Sequence, residues 1–296
     1  DETGAGPSAT LWSTMQKGSN EAVLSELGTV SLDGTIQSFR TVKTSPLSVA
    51  TTGVYIDGER TSGGLVTEIL YWDGNRLLAP LHDDSTGLTQ ISYRDVKIPS
   101  MDVDGDGQIE WPTCQPFSDT ETEGSSEKDI PWKTDWLGWD YESGTASRKF
   151  TSVANRRDGY LLRLDDTWAD RVTASYDTKE AVLRLYDVES GGKEILALRT
   201  RPAVYRTTTA TTATSAVPTF SAEPSRTYSV EGEYTPSSPG TGAADSTAGG
   251  QGNKSLHDYR LLEEQEDGTR YEVWFSTEEP FNLTMEYIRY MFIYLK

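Results

Sequence analysis

The chain has 296 residues, 46 of them acidic and 27 basic, for a formal charge of −19 and a sequence pI near 4.5. That balance leaves too little positive charge to neutralise phosphates and argues against a nucleic-acid partner. One cysteine rules out an internal disulfide, two histidines argue against a classical zinc site, and no apolar run approaches the roughly 20 residues of a membrane-spanning helix.

Residues 1–9 are small and polar and read as a flexible leader. From there onward the commonest local signal is Asp-Gly between β-branched or apolar runs, at Asp33-Gly34, Asp57-Gly58, Asp73-Gly74, Asp158-Gly159 and Asp267-Gly268. Such pairs supply the positive φ of tight reversals, so each is expected to be a hairpin turn. Strands are expected at 48–56, 64–72 and 76–81. In 64–72 both alternating faces carry bulk, which points to a strand covered on both sides, as in a propeller or sandwich.

Further strands are expected at 134–142, 146–153, 160–164, 181–188, 194–200, 258–264 and 271–277. A short turn capped by Asp165 is expected at 165–171. At the tail, Met285, Ile288 and Phe292 recur at helical spacing behind Asn282 or Thr284, predicting a core-docked helix over 282–293. Residues 207–255 differ in kind, since 36 of these 49 are Thr, Ser, Gly, Pro or Ala. Such a segment buries too little apolar surface to offset its ordering entropy and reads as an insertion interrupting a domain. The expected organisation is therefore β blades over 10–115 and a β-rich α+β portion over 116–296, broken by that insertion. The fold class is mainly β, antiparallel and propeller-like, with a C-terminal helix.

The strongest chemical motif is 101–112, Met-Asp-Val-Asp-Gly-Asp-Gly-Gln-Ile-Glu-Trp-Pro. Asp102, Asp104 and Asp106 alternate, and Glu110 stands ninth counting from Asp102. Four carboxylates so close repel one another unless a cation joins them, and calcium takes six to eight oxygens. The expected ligands are Asp102, Asp104, Asp106, the Gln108 backbone carbonyl and Glu110. The loop departs from the helix-loop-helix pattern, because its twelfth position is Thr113 rather than a glutamate. Alternation over 96–100 and the exit at Trp111-Pro112 suggest that two strands flank it.

This strand–DxDGDGxxE–strand unit resembles the calcium loop of FG-GAP/VCBS repeats, the integrin-α-like β-propeller blades. The wider context resembles Gram-positive bacterial lipoproteins carrying such repeats. The matching features are Gly63-Gly64-Leu65 with the Asp73-Gly74 turn, residues 99–112, Asp135-Trp136-Leu137-Gly138-Trp139-Asp140-Tyr141, and Asp158-Gly159-Tyr160 leading into Thr167-Trp168-Ala169-Asp170-Arg171. They span roughly residues 10–200. The resemblance implies an extracytoplasmic, lipid-anchored protein with calcium-stapled β blades and a smaller α+β end, and no established catalytic activity; the expected role is a non-enzymatic surface scaffold with an unidentified protein or glycan partner. Two departures stand against it: one complete calcium loop is present rather than several, and 207–255 is foreign to the pattern. A single loop suggests the C-terminal part of a longer propeller-like protein, or a decayed one.

Catalytic constellations are weak. His82 and His257 read as surface histidines with no nucleophile elbow nearby, and Cys114 as a small buried thiol. The rival to a non-enzymatic scaffold is a carbohydrate-binding module or glycoside hydrolase. Trp132 or Trp136 could stack on sugar, although core packing is the favoured reading of the tryptophan cluster.

Overall fold

In the computed structural model, the described residues are 6–16, 22–117, 126–203 and 257–295. The expected low-complexity insertion at 207–255 and most of the leader lie outside them. The chain is mainly β, with 54% strand against 4% helix, all sheets antiparallel and one helix at the C-terminal end.

A two-stranded sheet joins β1 (Ser8–Gln16) and β2 (Ala22–Ser31). Next comes a four-stranded meander of β3 (Ile36–Pro46), β4 (Thr52–Arg60), β5 (Leu65–Trp72) and β6 (Leu77–Leu78). A second meander follows with β7 (Trp111–Pro116), β8 (Trp132–Asp140), β9 (Thr145–Asn155) and β10 (Tyr160–Leu164). The expected division near residue 115 falls inside β7, which pairs with β8 along its whole length. A fourth sheet orders β11 (Val172–Asp177), β12 (Val182–Asp187) and β13 (Lys193–Arg201) beside β15 (Arg270–Phe275) and β14 (Arg260–Glu264). The chain ends in α1 (Met285–Met291) and β16 (Phe292–Tyr294), which adds to the free edge of β10.

Three local expectations change. Asp57-Gly58 is not a turn but the middle of β4, while the reversal into β5 uses Gly63 and Gly64, both at positive φ. Asp57 is fully buried there, and an ion pair rather than a turn explains it. The helix is shorter than 282–293: Thr284 Oγ1 caps it by accepting the Tyr287 amide at 3.1 Å. It stops at Met291 because Phe292, Ile293 and Tyr294 instead pair with Leu162, Leu161 and Tyr160 of β10. Residues 96–100 bury Val96, Ile98 and Ser100 alternately, yet they form no ladder, so a strand flanks the acidic loop on its exit side alone.

Alternation explains the cores. On β10, Tyr160, Leu162 and Leu164 enter the largest cluster while Leu161 enters another. The large cluster is knitted by cross-strand pairs, Leu183 against Leu198, Leu185 against Leu196 and Leu198 against Val273. Ile288 and Met291 of α1 pack onto it. On β4 and β5, Tyr55 and Ile69 serve one cluster, Ile56 and Leu70 another, so this sheet is covered on both faces as its sequence suggested.

Candidate metal centre

The acidic loop is stitched into two cores at once. Met101 and Val103 before and within it pack with Trp136 and Phe150, whereas Ile109 and Trp111 after it pack with Tyr55, Ile69 and Trp139. At the base of the loop, Met101 and Glu110 exchange both backbone hydrogen bonds, each at 2.9 Å. A loop closed in this way has its reach set by its neighbours, not by its own flexibility.

Within it the aspartates fold the backbone around themselves. Asp102 Oδ1 accepts the Gly105 amide at 2.8 Å and its Oδ2 the Gly107 amide at 3.1 Å. Asp104 Oδ1 accepts from Asp106 N at 3.2 Å, and Asp106 Oδ1 from Gln108 N at 2.7 Å. Gly105 and Gly107 take φ of 81° and 86°, a region where a side chain is strained, and this explains why glycine alternates with aspartate. The result brings one carboxylate oxygen each of Asp102, Asp104 and Asp106 within 4.8 Å of one another, all three exposed, a grouping that could hold a metal ion. Lys149 Nζ, 4.0 Å from Asp106 Oδ2, is the nearest cation at the loop among the described residues.

Glu110 is placed differently. It is fully buried, its Oε2 accepts the Val103 amide at 3.2 Å, and its Oε1 has no hydrogen-bond partner. Burial pushes its pKa up to about 8, and the charges of Asp104, Asp106 and Asp102 push the same way against the Val103 hydrogen bond. Glu110 thus senses the three aspartates without joining their tight group. Gln108 is held by its own amide, and its side chain borders a neighbouring cleft.

The approach to the loop is fixed by a residue pair that sequence reasoning missed. Asp57 accepts from Arg94 Nη2 at 3.0 Å, from the Thr67 hydroxyl at 2.6 Å and from both Ser100 N and Oγ, at 2.9 and 3.0 Å. Arg94 Nε donates to the Ile98 carbonyl at 2.6 Å. Burial alone would raise the Asp57 pKa, but the Arg94 charge and the hydroxyl and amide donors outweigh it and hold the carboxyl below its ordinary value. The missed signal was an aspartate directly following the apolar stretch Val54-Tyr55-Ile56 of a strand.

Other expected sites resolve as follows. The His82 side chain is only 4% exposed, not at the surface, with Nδ1 3.3 Å from Thr89 Oγ1 and 4.0 Å from Glu68 Oε1. That hydroxyl donates to the buried Glu68 at 2.7 Å, which explains why a histidine in an acidic stretch turns inward. His257 is partly buried. Cys114 is partly buried against the Trp136 cluster, and burial raises its thiol to about 11. Trp132 and Trp136 are both buried, so neither offers a face to a sugar. Among the described residues, no helix is long and apolar enough to cross a membrane. Comparison with known protein families, with characterised proteins and with experimentally determined structures gives no match for this chain.

Proposed function

We propose that the protein is a non-enzymatic, extracytoplasmic surface scaffold of the FG-GAP/VCBS type, stapled by one calcium ion. The ligands in this reading are Asp102, Asp104, Asp106, the Gln108 carbonyl and Glu110. The observation that carries it is Glu110: a carboxylate with an orphaned, fully buried oxygen beside three aspartates. Burying an unpaired charge is strongly unfavourable unless an opposite charge compensates it. Oxygen-only donors of this kind suit a hard cation such as calcium better than zinc or copper, which prefer nitrogen and sulfur. The succession of antiparallel sheets supports the propeller-like part of the reading, as does the loop's position between two of them. The buried His82, already engaged with Thr89, and the unactivated Cys114 support a non-catalytic role.

The ion would act structurally, joining the Trp136 cluster to the Trp111 cluster across one loop. Ligand binding to the native state alone stabilises by RT ln(1 + [L]/Kd), about 2.7 kcal/mol at a hundredfold excess over Kd. The expected outcome is a melting temperature several degrees higher in millimolar calcium than in EGTA. Superimposable melting curves would remove the calcium reading. Protease shaving of intact cells tests the location: release of fragments of this chain is expected, and full protection contradicts it.

A further inference from the structure

Beside the acidic loop lies a cleft of about 290 Å³ that the calcium reading does not use. Trp139, buried at 8% exposure, and the half-buried Tyr141 are among its lining residues. The Tyr141 ring is braced edge-on by Tyr71 at 5.3 Å between centroids and 74° between planes, so its orientation is set before any ligand arrives. The polar rim carries Gln108, Glu142, Ser147 and Lys149. The side chains of Gln108, Glu142 and Ser147 make no hydrogen bond to other described residues. Asp140 also lines the cleft, but its Oδ1 is committed to capping the turn through the Glu142 and Ser143 amides, at 2.9 and 3.1 Å.

The chemistry of this lining selects its ligand. Two carboxylates against one lysine disfavour a phosphate or another anion. The fixed Tyr141 ring packs on the C–H surface of a sugar ring, while carboxylates accept hydroxyl protons and Lys149 and Gln108 donate to hydroxyl oxygens. Such a mixture fits an uncharged, polyhydroxylated ring. The volume is at the low end of the roughly 300–1,000 Å³ of small-molecule sites, room for about one or two rings.

Lys149 links this cleft to the loop. Its aliphatic chain runs over Gly138, where an added Cβ would lie 2.5 Å from Lys149 Cε, and its Nζ reaches to 4.0 Å from Asp106 Oδ2. A divalent cation among the aspartates takes over Asp106 and leaves the ammonium free to turn towards the cleft. We propose that the Trp139–Tyr141 cleft binds a neutral sugar of a glycan, and that an ion in the adjoining loop tightens this binding. The second half rests on the calcium reading and the first does not.

The test is an array of neutral gluco-, manno- and galacto-oligosaccharides with sialylated and sulfated controls, probed with the whole chain in calcium and in EGTA. Affinity for any retained neutral glycan is then measured for Tyr141→Ala and Glu142→Gln. Tyr141→Ala should weaken binding about tenfold, the scale of one lost stacking contact with its burial, and Glu142→Gln by a few fold. Both variants should bind terbium at the acidic loop like the wild type, because neither residue is among its ligands. EGTA should weaken glycan binding severalfold. Retention of no neutral glycan, retention of charged glycans alone, or unchanged binding in both variants overturns the site. Equal glycan affinity in calcium and EGTA, with terbium shown to fill the loop, overturns the coupling. Failure of terbium to bind counts against the calcium reading instead and leaves the sugar site standing.

Discussion

Two regions of this molecule are held together by different physics. The sheet of β11 to β15 with α1 buries leucines, valines and aromatics in register across its strands. The sheet of β3 to β6 buries charge: Asp33 with Arg60 at 2.5 Å, Asp57 with Arg94 at 3.0 Å, and Glu68 beside His82. The first kind of core tolerates reshaping, because apolar contacts are many and non-directional. The second is directional, and each member left alone becomes an uncompensated buried charge. The charged core adjoins the acidic loop and fixes Ser100 and Ile98 on the approach to it. Precision is therefore concentrated where carboxylates must converge.

The sharpest way to break this contrast is Arg94→Ala. It strands Asp57 with its remaining donors and should cost about 3–5 kcal/mol in urea unfolding, a large share of the roughly 5–15 kcal/mol that holds a typical domain folded. Replacing both partners together, Asp57→Leu with Arg94→Met, should recover much of that loss, because an apolar pair needs no compensation. In the other core, Leu183→Ala removes a fully buried side chain from the Leu198 and Val273 row and should cost about 3 kcal/mol. If the Arg94 single variant proved milder than Leu183→Ala, the distinction between the regions would fail.

A smaller effect sharpens it through pH. Asp187 is gripped by Arg171 through two bonds of 2.7 Å, and this guanidinium holds its carboxyl well below the ordinary value of 3.8. A carboxyl depressed on folding stabilises above its unfolded value, and that stability is lost as pH falls through and below about 4. Asp187→Asn should accordingly lower the melting temperature at pH 6, and the gap to wild type should close towards pH 2. A gap that stayed constant with pH would show that the residue acts through its turn hydrogen bonds rather than its charge.

Much of the architecture was legible because it follows period-two burial. Residues 64–72, 160–164 and 194–200 nearly coincide with β5, β10 and β13. Asp-Gly marked the turns after β5, β9 and β14, where Gly74, Gly159 and Gly268 take positive φ. It misled at Asp57-Gly58 because local turn chemistry cannot register an arginine 37 residues away. Strand β3 went unread, since its alternation is broken by two register shifts, and β16 was hidden in what looked like helix until β10 offered it an edge. At the candidate metal centre, the three aspartates were legible from spacing alone. The burial of Glu110 was not, because it depends on Val103 and on the two clusters that the loop separates.

Glu110→Gln tests the central claim most directly, with thermal melting of variant and wild type in EGTA and in millimolar calcium. Glutamine keeps the shape and the acceptor for the Val103 amide but removes the charge. In EGTA and above about pH 8, where the raised Glu110 is ionised, the variant should melt at or above the wild-type temperature, because an uncompensated buried carboxylate is gone. In calcium it should lose most of the wild-type gain. A variant that melts lower than wild type in EGTA yet keeps the full calcium shift would contradict the account, and Glu110 would then be a structural carboxylate with no part in holding the ion.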